Sequence, residues 1–100
     1  MKHTEEVVER IKRAKPDEIY GRIIEMLGGD RLRVDCDDGN ERICRIPGKF
    51  KKAVWVRMND IVIIKPWVIQ GDKRADIAWR YTKAQVETLV RQGVFKKLKV

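Results

Sequence analysis

The chain has 100 residues, a formal net charge of +8 and 38% charged residues. This length allows one domain with a single modest core, and the excess of cations favours a nucleic acid or another anionic surface as partner. No apolar stretch approaches the roughly 20 residues that cross a bilayer, and residues 1–9 are too polar and acidic for a signal peptide. We expect a cytoplasmic monomer.

The N-terminal residues 1–16 are predicted to form a flexible basic tail. They are mostly polar and end in a run of arginine and lysine before Pro16. Val7, Val8, Ile11 and Ala14 could line one face of a helix, but an isolated helix of about a dozen residues is marginal in water. The tail is therefore expected to be separate from the folded domain.

Residues 17–81 show the pattern of a small all-β barrel, with short strands between turn signals. The five predicted strands are 18–27, 31–36, 41–46, 61–64 and 75–81. Gly21 is a candidate bulge or bend in the first strand, and the continuous apolar run of the fourth predicts burial on both faces. One short helical turn is predicted at residues 49–54, after the third strand. This order favours a five-stranded OB-fold, with an SH3-like barrel as the alternative.

A C-terminal helix is predicted at residues 82–93. Thr82 and Gln85 have the spacing of a capping box, and Gly93 is a typical helix stop. Val86, Leu89 and Val90 form an apolar stripe that predicts packing against the barrel. Residues 94–100 are predicted to be a mobile basic tail.

The sequence lacks the residue types that most enzymes and metal sites need. It contains no serine, and its one histidine is His3. Cys36 and Cys44 are interpreted as small buried residues, because disulfides are rare in the cytoplasm and zinc needs about four ligands. For an enzyme, only catalysis by carboxylate groups remains possible. We expect no enzyme, no metal and no cofactor. The missing serine, few asparagines and many charges are typical of thermophile proteins.

The strongest functional signal is a stretch of six cations without an acid, between Glu41 and Asp60. A segregation of charge of this kind predicts contacts with phosphate groups. Arg33, on the polar face of the second strand, is added to the site, and Trp55 is left open between core and RNA contact. Phe50, Trp67 and Trp79 are expected in or near the core. The candidate RNA-binding residues are Arg33, Arg42, Arg45, Lys49, Lys51, Lys52, Trp55 and Arg57.

Several segments together resemble translation initiation factor 1A of archaea and eukaryotes. They are residues 24–32 (IEMLGGDRL), 38–39 (DG), 45–56 (RIPGKFKKAVWV), 59–63 (NDIVI) and 73–81 (KRADIAWRY). The resemblance covers most of the chain. It implies an S1-like OB-fold related to bacterial initiation factor 1, which binds the small ribosomal subunit at the A site near the decoding centre.

The resemblance also implies a role and partners. Members of that family keep the subunits apart, stabilise the binding of initiator tRNA and messenger RNA, and work with other initiation factors. Their RNA-contacting basic loop corresponds here to Arg45, Lys49, Lys51 and Lys52, followed by Trp55. Two alternatives stay open from the residues alone. One is a module that binds an acidic protein. The other is a general single-strand RNA chaperone, which the lack of aromatic residues in the second and third strands disfavours.

Overall fold

The computed structural model describes residues 10–48 and 56–100. The elements are β1 Ile19–Gly28, β2 Arg31–Cys36, β3 Glu41–Arg45, β4 Ile61–Pro66, β5 Arg74–Arg80 and α1 Lys83–Arg91. The strands form a closed barrel in the order β1-β2-β3-β5-β4. The five predicted strands and the C-terminal helix are confirmed. The predicted helical turn at residues 49–54 lies outside the described residues.

The first strand closes the barrel by pairing with two neighbours. Its first half pairs with β4 and its longer second part pairs with β2, both antiparallel. The irregularities of β1 lie beyond Ile23 rather than at Gly21, where we predicted a bulge or bend. Gly21 has a different role: a Cβ atom there would lie 2.4 Å from Cγ1 of Val34. The glycine therefore allows β1 to pack closely against the Val34 side chain of β2.

The fourth strand separates two hydrophobic clusters. Val62 and Ile64 point into the barrel core, whereas Ile61 and Ile63 contribute to an outer cluster with Leu89 of α1. All four residues are buried, which confirms the prediction of a strand covered on both faces. The inner cluster also contains both cysteines as buried free thiols, as predicted. Desolvation raises the pKa of Cys36 to about 11.

The helix α1 begins and ends where the sequence predicts. The Thr82 side chain accepts a hydrogen bond from the backbone N–H of Gln85, and the Gln85 side chain accepts one from the backbone N–H of Thr82. Gly93 has a φ of +70°, a conformation that favours glycine after a helix. Leu89 is completely buried, so the helix is fixed against β4. Within the described residues no helix is long and apolar enough to span a membrane.

Residues 10–16, part of the predicted tail, lie against the barrel in the structure. Ile11 and Ala14 pack on the outer cluster. The Tyr81 hydroxyl donates to the carbonyl of Lys12, and the backbone N–H of Ala14 donates to the Tyr20 hydroxyl at 2.9 Å. Two residues of the apolar pattern noted in the sequence, Ile11 and Ala14, thus cover part of the barrel. Residues 1–9 lie outside the described part of the chain.

Residues 94–100, predicted as a mobile tail, also contact the barrel. The ring of Phe95 meets that of Tyr20 edge-on at 5.3 Å, and Leu98 is buried. The Asp37 carboxylate accepts hydrogen bonds from the backbone N–H groups of Lys96, Lys97 and Leu98, at 2.6–3.0 Å. Three donors on one carboxylate attach this segment to the β2–β3 turn.

Candidate nucleic-acid interface

Four arginines share the outer surface of strands β2, β3 and β5. Side chains alternate between the two faces of a strand, and the buried Leu32, Val34 and Cys44 define the inner face. On the outer face Arg31 lies opposite Arg45, and Arg33 lies opposite Ile43. Parallel pairing of β3 with β5 adds Arg74 beside Ile43. We call Arg31, Arg33, Arg45 and Arg74 the arginine face.

The arginine face borders a groove of about 620 Å³. Arg31, Arg45 and Arg74 line it together with Ile43 and the β1–β2 turn. Acidic residues compensate part of the charge: Glu25 pairs with Arg33 at 2.9 Å, and Asp76 pairs with Arg45 at 3.4 Å. Both ion pairs are largely exposed to solvent, so a phosphate group could replace either acid at small cost.

Arg42 was predicted as an RNA-binding residue, but the structure buries its side chain. It occupies an inward position of β3 opposite Val34, and only 4% of it is exposed. Its guanidinium donates two hydrogen bonds to the Asp38 carboxylate, at 2.9 and 2.8 Å, and its Nε donates to the carbonyl of Gly71 at 2.6 Å. These bonds join the β2–β3 turn to the β4–β5 turn. Arg42 is a structural residue that phosphate cannot reach.

Arg57 is exposed but lies in a different groove. This second groove has a volume of about 700 Å³ and shares no lining residue with the first. Asp60 lines this groove. Its carboxylate accepts a hydrogen bond from the backbone N–H of Arg57 at 2.8 Å and pairs with Arg80 at 3.0 Å. The other cations that line this groove are Arg22, Lys83 and Lys99.

The four predicted site residues that the structure describes therefore fall into three groups. Arg33 and Arg45 lie on the arginine face, Arg57 lines the second groove, and Arg42 is buried. The other four, Lys49, Lys51, Lys52 and Trp55, lie outside the described residues.

Trp67 and Trp79 were expected in or near the core, but each is 38% exposed. Trp67 follows the end of β4, and its indole N–H donates to Asp76 at 3.0 Å. Trp79 follows an irregularity in the pairing of β5, where Ile63 and Ile64 lie opposite Trp79 and Ile77. Ala78 is the extra residue of β5 between these two pairs. It breaks the alternation, so Trp79 and Ile77 lie on different faces of the strand.

Two arginines of the interface were missed. Arg31 shares a face with Arg33, a pattern that was visible in the alternation of the second strand. Arg74 reaches the site only because β5 pairs in parallel with β3, about thirty residues earlier. Pairing over such a separation leaves no local signal in the sequence.

The barrel order and the covering helix define a small OB-type barrel, and its outer face carries an arginine-lined groove. The comparisons with known proteins agree with this class. The family model "Translation initiation factor 1A / IF-1" matches residues 6–99. The chain belongs to that family.

Similar proteins come from archaea and bacteria. Translation initiation factor 1A of Methanopyrus kandleri is 48% identical over 89% of this chain and 79% of its own. The Methanococcus aeolicus protein of the same name is 51% identical over 88% of this chain and 84% of its own. A solution structure of the bacterial translation initiation factor 1 from the Wolbachia endosymbiont of Brugia malayi matches with a TM-score of 0.53. It covers 72% of this chain and 85% of that one, and at 23% identity it supports the fold alone.

Proposed function

We propose that this protein is a non-catalytic initiation factor that binds the small ribosomal subunit through phosphates of its RNA. The observation that carries the proposal is the arginine face, where four cations from three strands share one surface and three of them line one groove. Family membership supports the role in translation initiation. The protein would act in the cytoplasm and without a cofactor.

The chemistry of the arginine face suits folded RNA. Guanidinium groups bind phosphate oxygens through two parallel hydrogen bonds. The strands fix the backbone positions from which these arginine side chains extend. Phosphate contacts of this kind fix the position and orientation of a protein on RNA. Strands β2 and β3 contain no aromatic residue, so this surface is suited to the shape of a folded RNA rather than to a row of stacked bases.

The proposed interface extends beyond the arginine face. Lys49, Lys51 and Lys52 belong to the stretch without acids, four to seven residues after Arg45 in sequence. Arg57, at the end of that stretch, would make a separate phosphate contact from the second groove. Trp55 is kept as a candidate RNA contact.

On the ribosome, we infer that the bound protein occupies the A site near the decoding centre. Its action there would be steric and electrostatic: it would promote dissociation of the subunits and stabilise initiator tRNA and messenger RNA, together with other initiation factors. No bond needs to be made or broken for this role.

Sedimentation with purified ribosomal subunits over a series of salt concentrations tests the proposal. We expect selective binding to the small subunit. About six phosphate contacts would give a slope of roughly −4 to −5 for log K against log salt concentration. Equal binding to both subunits, or a slope near zero, would contradict the proposal. Binding that survives digestion of the RNA would instead favour an acidic protein partner.

The double variant Lys51→Ala with Lys52→Ala tests the stretch without acids. Losing two phosphate contacts should flatten the salt slope by roughly 1.5–2 units, while the melting temperature barely changes. Arg91→Ala with Lys96→Ala is the matched control, because it removes the same charge from residues that line neither arginine-bearing groove. If both double variants bind like the wild type, the two lysines are not part of the site.

A further inference from the structure

Trp67 lies beside the arginine face in a polar cluster. Its indole N–H donates to Asp76 at 3.0 Å, and the Arg45 guanidinium lies 5.8 Å from the centre of its ring. Asp76 also pairs with Arg45 at 3.4 Å, so the three side chains contact one another. The ring nevertheless remains 38% exposed.

We propose that Trp67 stacks on one unpaired base of an RNA strand whose phosphates contact the arginine face. The inference rests on the proposed function and adds a base-binding position to it. It assigns the chemical class of the ligand, an unstacked nucleotide, to a residue outside the stretch of cations that the sequence indicated.

The turn around Trp67 fixes the backbone of that residue, and the bond from the indole N–H to Asp76 orients the ring before any ligand binds. The backbone N–H of Trp67 donates to the carbonyl of Arg74 at 3.0 Å, and the Gln70 carbonyl accepts from Lys73 and Arg74. The turn is also tight, since a Cβ atom on Gly71 would lie 2.5 Å from the Trp67 carbonyl oxygen. A ring that is already oriented loses little conformational freedom when a base stacks on it.

The neighbours of the ring favour a nucleotide over other ligands. Every base offers a flat π surface to an exposed aromatic ring, and stacking on tryptophan is common where cations hold the backbone. Arg45 contacts Trp67 directly and also lines the groove, so one nucleotide could place its phosphate on the arginine and its base on the ring. This would give the barrel a stacking position at the end of β4, although β2 and β3 have none.

A protein contact is the competing explanation. Val68 and Ile69 follow Trp67 and are 101% and 78% exposed, which is the kind of surface that an apolar partner could cover. However, the polar groups in contact with the indole are the Arg45 guanidinium and the Asp76 carboxylate. Trp67, Val68 and Ile69 do not line the basic groove themselves, but Arg45 does, and Arg45 contacts the ring of Trp67. The geometry at the ring itself therefore favours a base, and the experiment separates the two.

The test compares two single-stranded RNAs of the same length, one of uridines and one in which the sugars carry no bases. Both present the same phosphates, so their difference in affinity reports contacts with bases. We expect the wild type to bind the uridine strand at least about fivefold more tightly. Trp67→Leu should remove this preference without changing the salt slope, and Trp67→Phe should keep most of it. Trp79→Leu, which changes a second tryptophan of equal exposure beside Lys12, is the matched control.

The outcomes separate the proposed stacking of a base on Trp67, which we call the base platform, from the phosphate contacts of the arginine face. Equal binding of both strands by the wild type with a steep salt slope would overturn the platform and leave the proposed function intact. Binding of neither strand, together with no binding to the small subunit, would contradict the proposed function itself. A base preference that survives in Trp67→Leu would also overturn the platform. If Trp67→Leu weakens small-subunit binding while the base preference persists, the residue contacts protein, and the platform is again refuted.

Discussion

Arg42 and Arg45 lie three residues apart on the same strand and have opposite roles. Arg42 is 4% exposed and donates its hydrogen bonds to Asp38 and Gly71 within the protein. The Arg45 side chain is 58% exposed and shares a weaker ion pair with Asp76. Both count equally in a stretch of six cations without an acid, so the charge of a segment says little about which of its residues can meet a ligand.

The difference extends to the regions around the two residues. The β2–β3 turn uses its charges internally: Asp37 holds the C-terminal segment and Asp38 holds Arg42. On the arginine face, Arg33 and Arg45 form ion pairs with Glu25 and Asp76 that remain exposed to solvent. One region is thus stabilised by its ion pairs, whereas the other is available to bind an anion.

The largest effect on stability is expected from Arg42→Met. The variant loses three hydrogen bonds and leaves the Gly71 carbonyl without its donor, which should lower the free energy of unfolding by about 2–3 kcal/mol. Denaturant unfolding measures this value. Arg45→Met is the matched control on the same strand and should change it by no more than about 0.5 kcal/mol. Similar stabilities for the two variants would show that Arg42 is not a structural residue.

A smaller loss is expected from Asp37→Ala. The backbone N–H groups of Lys96, Lys97 and Leu98 would lose their common acceptor, and water can replace it because the site is near the surface. We expect a loss of about 1–2 kcal/mol and faster hydrogen exchange at these three amides. Asp72→Ala, in the exposed β4–β5 turn, serves as control. Unchanged exchange at residues 96–98 would mean that Asp37 does not hold the C-terminal segment.

Acid should weaken the same region. The hydrogen bonds from Arg42 lower the pKa of Asp38 below the ordinary value of 3.8. A carboxyl group with a lowered pKa stabilises the folded state above its unfolded pKa, and this contribution is lost as the pH falls through the folded value. Stability should therefore decrease below about pH 4. The melting temperature of Asp38→Asn should fall less on acidification than that of the wild type. The same pH dependence in both proteins would show that other groups cause the effect.

Much of the fold follows from local signals in the sequence. Alternation located β2 at its observed bounds, and the run at residues 61–64 identified the strand that is buried on both faces. The capping box of Thr82 and Gln85 marked the start of α1. These features could be predicted because each depends on residues within a few positions of one another.

The candidate site was only partly predictable, because its geometry depends on distant parts of the chain. The parallel contact of β3 with β5 brings Arg74 to the arginine face, and the irregularity before Trp79 changes the side of that residue. One local feature of the sequence indicates the burial of Arg42, namely the acid Asp38 four residues earlier. A cation with an acid at that distance across a turn should be examined as a structural pair before it is assigned to a binding site.

The smallest effect is expected at Glu25, and it tests whether the arginine face is available to phosphate. Glu25 holds Arg33 by a hydrogen bond at 2.9 Å, which raises the pKa of the arginine and competes with any phosphate for its donors. The pair is largely exposed, so Glu25→Gln should hardly change stability. Affinity for small-subunit RNA should instead increase a few-fold at low salt, because one competing carboxylate is removed. Asp72→Asn removes the same charge from the exposed β4–β5 turn and should raise affinity less. Equal gains from the two variants would show that only net charge matters, and a loss of affinity in Glu25→Gln would place the RNA away from Arg33.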